Sequence, residues 1–332
     1  MTWLGLDIGG ANIKFADGRG YAHSEPFALW RHPNELSSKL HELLTQAPAA
    51  KSLAVTMTGE LADCYETKTE GVLHILHAVE HAANGRDMQV YQCNGQLTSI
   101  KDASREPLLS AASNWHVLAT YSMRHLQDDS GLLIDIGSTT TDLIPLGNEI
   151  LPKATDPQRL AEGSLVYTGV QRSPLCAIVA ELPWNGKSCR VAQELFATTQ
   201  DAYVVLDKIV EQPQNSDTAD GRPLTKAYSH ARLARSVCAD TSIFSWAEAI
   251  EAAKVVCRNQ VNMIVDAAHQ VLDYQPTTIV ISGQGEFLAR LVFDRLGFNC
   301  QIISLSEQLG SEISHCACAH ALAVLASERF SL

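Results

Sequence analysis

No stretch of this chain approaches the roughly eighteen uninterrupted apolar residues that a membrane span requires. Basic side chains are in deficit: 25 Lys and Arg against 37 Asp and Glu leave a formal net charge of −12. That balance argues against coating nucleic acid or an anionic lipid surface, since both need clustered positive charge. It leaves room for a small anionic ligand, which needs only a few local donors and a metal ion. The opening residues Met1 to Leu6 lack a basic leader, and Asp7 soon interrupts the apolar run, so no export signal is read there. Nine cysteines, an odd number scattered from Cys64 to Cys318, do not make a secreted disulfide framework. The expectation is a soluble cytoplasmic protein that binds neither nucleic acid nor membrane.

What is present supports a sizeable core. Apolar types make up 46% of the 332 residues and charged types 19%, enough chain for about two domains. Strand-like and helix-like stretches alternate, which argues for an α/β architecture. Trp3 to Phe15 reads as an apolar hairpin around Gly9-Gly10, and Ser52 to Thr58 as a buried strand. Leu108 to Leu126 reads as one small-residue-rich helix, and Gly131 to Leu146 as a second hairpin. Trp246 to Leu272 has the i, i+3, i+4 spacing of a long amphipathic helix. Residues 151–240 are less regular, and Glu211 to Asp217 is a surface loop by composition. The expected division is a lobe over 1–128 and another over 129–332, the second carrying a substrate-facing insertion at about 151–240.

One internal echo organises the rest. Asp7-Ile8-Gly9-Gly10 returns as Asp135-Ile136-Gly137-Ser138, 128 residues later, each time where an apolar strand meets a glycine turn. Glycine lets a backbone turn tightly enough for several N–H groups to face one phosphate. An aspartate at the strand end repels phosphate but can hold hydrated Mg²⁺ that bridges to it. Asn12 and Lys14 follow the first copy. Ser138, Thr139, Thr140 and the carboxylate of Asp142 follow the second. A third strand, Ile279 to Ser282, ends in the turn Gly283-Gln284-Gly285-Glu286, which can lie flat against a ring or ribose.

In that order and spacing these motifs resemble the sugar kinase/Hsp70/actin superfamily. Asp7 to Lys14 resembles its first phosphate motif, Asp135 to Asp142 its second, and Ser282 to Glu286 its adenosine motif. The resemblance implies a two-lobed, actin-like ATPase (ribonuclease H-like) fold with a cleft between duplicated lobes. Thr58 to Asp63, Tyr167 to Val170, Thr218 to Pro223 and Arg232 to Arg235 are together similar to the hydantoinase A/oxoprolinase-related family linked to tetrahydromethanopterin one-carbon metabolism. Its archaeal relatives include an enzyme of methanofuran biosynthesis that joins a furan diphosphate to γ-glutamyltyramine.

That resemblance implies a phenolic oxygen attacking a furan methylene while pyrophosphate leaves. Asp7, Asp135 and Asp142 would hold Mg²⁺, and Lys14 with the loops of Gly9, Gly10, Asn12, Gly137, Ser138, Thr139 and Thr140 would hold the diphosphate. Glu60, at a strand end, is the first candidate for the base. The partners implied are a small-molecule diphosphate and a phenolic amine, with ATP able to bind but not required. Gly283, Gln284, Gly285 and Glu286 would take a nucleotide or the organic part of a substrate. The loop of Asp220 and Arg222 would close over substrate, and Arg159, Arg172 and Arg235 are equally placed to reach its anionic end. An ATP-dependent kinase or hydantoinase A-type hydrolase is the alternative, and a nucleotide-dependent assembly or chaperone protein the third. His315-Cys316-Ala317-Cys318-Ala319-His320 suggests a metal, but Cys316 and His320 share a helical face that Cys318 does not, so packing is the expected role. The sequence says nothing of oligomeric state.

Overall fold

A computed structural model describes residues 2–128, 130–147 and 155–330. The first strands form a meander: β1 (Trp3–Ile8), β2 (Asn12–Ala16) and β3 (Ala22–Pro26) pair antiparallel. β4 (Ser52–Met57) and β5 (Asp87–Tyr91) then add parallel to β1, each reached through a helix, and β6 (Leu97–Thr98) closes the edge. Parallel neighbours need such crossovers, here Leu36–Gln46 and Lys68–Ala83. All residues of β1 and β4 are buried, as expected of strands covered on both faces.

The second sheet repeats this plan. β7 (Gly131–Ile136), β8 (Thr141–Leu146) and β9 (Leu165–Val166) are the meander. After a separate hairpin, β10 (Glu181–Trp184) with β11 (Lys187–Arg190), the strands β12 (Thr278–Ser282) and β13 (Gln301–Ser304) add parallel beside β7. The sheet orders are β3-β2-β1-β4-β5-β6 and β13-β12-β7-β8-β9, the same arrangement with one extra strand on the first. The echo in the sequence is thus an echo in topology.

Between the sheets lie two helices, Asn114–Ser122 and Ala317–Phe330. Trp115 and Leu118 of one and Leu322 and Ala326 of the other share a core with Trp3 and Ala54 of the first sheet and Leu133 and Val280 of the second. The helix expected over Leu108–Leu126 is shorter than the spacing suggests. Pro107 opens a 3-10 turn, Ala112 takes φ 46°, and the α-helix begins only at Asn114. The middle region is better organised than its composition implies. Residues 151–154 lie outside the described set, but from Leu175 to Phe244 short elements pack a core of their own against the Trp246–Val271 helix. Among the described residues, no helix is long and apolar enough to cross a membrane. All nine cysteines are free.

Candidate active site

The two phosphate-type turns are built alike, bond for bond. In the first, the Gly9 N–H donates to the Asn12 carbonyl at 2.9 Å; in the second, Gly137 donates to Thr140 at 2.9 Å. The carbonyl closing each first strand accepts from the turn after the fourth: Ile8 from Gly59 at 3.0 Å, Ile136 from Gly285 at 2.9 Å. Each loop is also backed by a further segment, Leu29 N–H on the Gly10 carbonyl and Gln171 N–H on the Ser138 carbonyl, both 3.0 Å. The residues that follow these segments, Trp30 and Arg172, meet across the lobes with the guanidinium 5.2 Å from the ring centroid.

Within this frame Asp7 lies opposite Lys14, and Asp135 opposite Asp142. Burial pushes Asp7 up to about 6 against the pull of Lys14. Burial and then the charge of Asp142 push Asp135 up to about 7, and Asp7 and Lys14 both act on it. The carboxylates of the two lobes and the single lysine therefore share one neighbourhood. Asp7 Oδ1 is buried without a hydrogen-bond partner. An uncommitted carboxylate oxygen beside a second carboxylate suits a hard cation such as Mg²⁺, which keeps most of its waters and takes one or two protein carboxylates. Among the described residues no three His, Cys, Asp or Glu side chains converge as a metal cage.

Asp142, expected as a third carboxylate at the metal, is instead bonded to the buried guanidinium of Arg159. Arg159 also donates to the Ser164 carbonyl at 3.0 Å and lies 4.3 Å over the Trp115 ring. This separates Arg159 from its sequence equivalents. Arg172 pairs with Asp217 at 3.5 Å, and Arg235 binds Asp220 at 3.2 Å. Asp220 is further tied to Arg232 at 2.8 Å, itself fully buried against Asp201, so this carboxylate anchors its loop. Arg222 stays exposed, 5.7 Å from the Tyr228 ring.

The Gly283 to Glu286 turn is packed against the second phosphate loop. Gly283 takes φ +88°, and a Cβ there would stand 2.4 Å from the Ile136 carbonyl and 2.7 Å from Asp135 Oδ1. A Cβ on Gly285 would meet Ile136 Cγ2 at 2.4 Å. Glu286 accepts from the Ser304, Ser306 and Ser314 hydroxyls and from the Ser306 N–H, all at 2.5–2.8 Å, so protein donors occupy the carboxylate. Gln284 lies 2.5 Å from His315 Nε2, a histidine that burial and then Lys14 push down to about 4. In the sequence His315 reads only as part of a Cys/His cluster. Cys316, Cys318 and His320 are buried in the packing of the last helix.

Glu60 is a buried carboxylate beside the first turn. It follows the Thr58-Gly59 turn, whose N–H groups both bind the Ile8 carbonyl at 3.0 Å, so it sits directly behind the first phosphate loop. Burial pushes it up to about 7, against nearby backbone N–H groups and Lys68. Its Oε2 is buried without a partner. Lys68 Nζ stands 3.8 Å from Oε1 and donates to Asp156 at 2.7 Å. Neither Lys68 nor Asp156 carries a motif, and only their meeting in space reveals them.

Known proteins agree with this architecture. The hydantoinase/oxoprolinase family pattern matches residues 52–328. The (4-{4-[2-(γ-L-glutamylamino)ethyl]phenoxymethyl}furan-2-yl)methanamine synthase of Methanocaldococcus jannaschii is 34% identical over 316 residues, covering 94% of this chain and 93% of its own. The synthase of that name from Methanococcus vannielii is 34% identical over 193 residues, 56% of this chain and 86% of its own. A nucleotide-free acetone carboxylase structure covers 96% of this chain and 70% of its own at TM-score 0.54 and 11% identity, a likeness of fold. With the repeated five-strand plan, the paired Asp-Gly turns and full-length relatives at this identity, the chain belongs to the hydantoinase/oxoprolinase family.

Proposed function

We propose that this protein is a transferase of methanofuran biosynthesis. It couples an aminomethylfuran-methyl diphosphate to the phenol oxygen of γ-glutamyltyramine and releases pyrophosphate. The relatives' name describes a furan joined through a methylene to a phenol oxygen, the bond this reaction makes. The observation that carries the reading is the convergence of Asp7, Asp135 and Lys14 from two equivalent turns, with the buried, partnerless Glu60 oxygen behind the first.

The diphosphate would lie against the Gly9-Gly10 and Gly137 to Thr140 turns, with Lys14 balancing its charge as the leaving group departs. Mg²⁺ bound at Asp7 and Asp135 would supply further neutralisation of that charge. Glu60, far more basic than an ordinary carboxylate, accepts the phenol proton. A diphosphate ester already carries its leaving group, so ATP has no step to drive. The saturation of Glu286 by protein donors favours this reading over a kinase that must receive adenosine there.

Incubating the purified protein with Mg²⁺ and both substrates, with and without ATP, tests it. Ether and pyrophosphate should form in equal amounts without ATP. An absolute ATP requirement, with ADP formed one-for-one with product, would transfer the assignment to the ATP-dependent alternative.

A further inference from the structure

Lys68 and Asp156 join the two lobes beside Glu60. Lys68 opens the Lys68–Ala83 helix of the first lobe, and Asp156 opens the Asp156–Glu162 helix of the second. One ammonium serves two carboxylates, and it favours the one across the cleft: 2.7 Å to Asp156 against 3.8 Å to Glu60. The other charged and titratable groups around Glu60 are few. Arg159 stands 4.0 Å from Asp156 and is committed to Asp142, and the Cys93 thiol is held un-ionised by burial.

We propose that Lys68 and Asp156 are positioning residues that set the proton affinity of Glu60. The proposal rests on the reading of Glu60 as the base. Asp156 draws Lys68 away, and the buried carboxylate keeps a strong affinity for the phenol proton. The phenol proton passes to Glu60 Oε2 and the phenolic oxygen forms its bond to the furan methylene. The methylene–oxygen bond to the diphosphate breaks, and its electron pair leaves on pyrophosphate. Glu60 then returns the proton to solvent.

Carbon-13 NMR of the full protein labelled at glutamate carboxyls, free of metal and substrate, tests the control directly. The Glu60 signal is assigned by its loss in Glu60→Gln. Asp156→Asn should lower the Glu60 titration midpoint and Lys68→Met should raise it, each by about one pH unit. Lys68→Arg should hold it near the native value. The acid limb of kcat/KM for ether formation should move in the same two directions, since that limb reports the free enzyme's base. A bridge that merely braces the lobes would weaken stability in both variants and leave the midpoint still. That result overturns the proposal, as does a shift of the same sign in both. Opposite NMR shifts with an unmoved acid limb would sustain the control of Glu60 and overturn its role as base.

Discussion

The two lobes carry the same hairpin with opposite charge at the same register position. Asp7 on β1 faces a lysine, whereas Asp135 on β7 faces a second aspartate. The backbone does not explain this, because both turns close through equivalent bonds of 2.9 Å. The difference lies in where the cation comes from. In the first lobe it is Lys14 on the next strand, whose charge reaches Asp7, Asp135 and His315 together. In the second it is Arg159, 2% exposed, under Trp115 and spent on Asp142. Both neutralise a loop carboxylate, but Lys14 keeps part of its surface open and Arg159 is part of the core.

That division is broken most severely at Arg159. Arg159→Met leaves Asp142 buried without a cation, and a buried pair cut on one side costs about 3–5 kcal/mol. Urea melts should show that loss, and adding Asp142→Leu should recover most of it. Lys14→Met should cost about 1 kcal/mol or less in the same melts, yet reduce turnover at least about a hundredfold. Equal losses of stability at the two cations would erase the distinction.

A second effect, about 2–3 kcal/mol, concerns the aspartates that the lobes hold in common. Asp7 and Asp135 sit at about 6 and about 7 in the folded protein, above their unfolded values. A carboxyl so displaced stabilises the fold while protonated. That contribution is present at low pH and is lost as pH rises through the folded values. The metal-free Asp7→Asn/Asp135→Asn protein should therefore gain on wild type from roughly pH 4 to 7 and hold its lead above. The effect falls short of the full 1.4 kcal/mol per unit because Asp135 is partly open to solvent and screened. His116 and His315, both pushed down to about 4, slope the other way in both proteins and cancel in the difference. Melting both proteins across that range measures it; a difference independent of pH would place the strain elsewhere.

The smallest contrast separates a glycine facing open space from one facing protein. Nothing lies within 4 Å of a Cβ built on Gly10, whereas one on Gly285 meets Ile136 Cβ at 2.7 Å. Gly285→Ala should cost about 1–2 kcal/mol. Gly10→Ala should change stability by less than about 0.5 kcal/mol and act on diphosphate affinity instead, read as a raised KM.

The features legible in the sequence were those written locally. Asp7 and Asp135 could be matched because each stands at the end of an apolar strand before glycine, and Glu60 because it closes a third such strand. The long helix from Trp246 was readable from its period, since its apolar face is continuous. Arg159 was indistinguishable from Arg172 and Arg235, because what singles it out is a contact with Asp142 set by tertiary packing. Asp142 reads as a metal ligand for the same reason: a carboxylate beside Asp135 looks free until its partner is seen. Leu108 to Leu126 reads as one helix because its residues suit one. Only the left-handed turn at Ala112, imposed by the surrounding structure, divides it.

The helix Ala317–Phe330 rests so closely on β1 that a Cβ at Gly5 would stand 2.0 Å from the Ala319 carbonyl oxygen. Strand and helix lie at opposite ends of the described chain, and the helix shares its core with Trp3 and Ala54. During synthesis β1 emerges about three hundred residues before the helix that covers it. The first sheet must therefore wait, with that face uncovered, until this helix has been made. The contact closes a long loop, and its separation alone makes it slow to form.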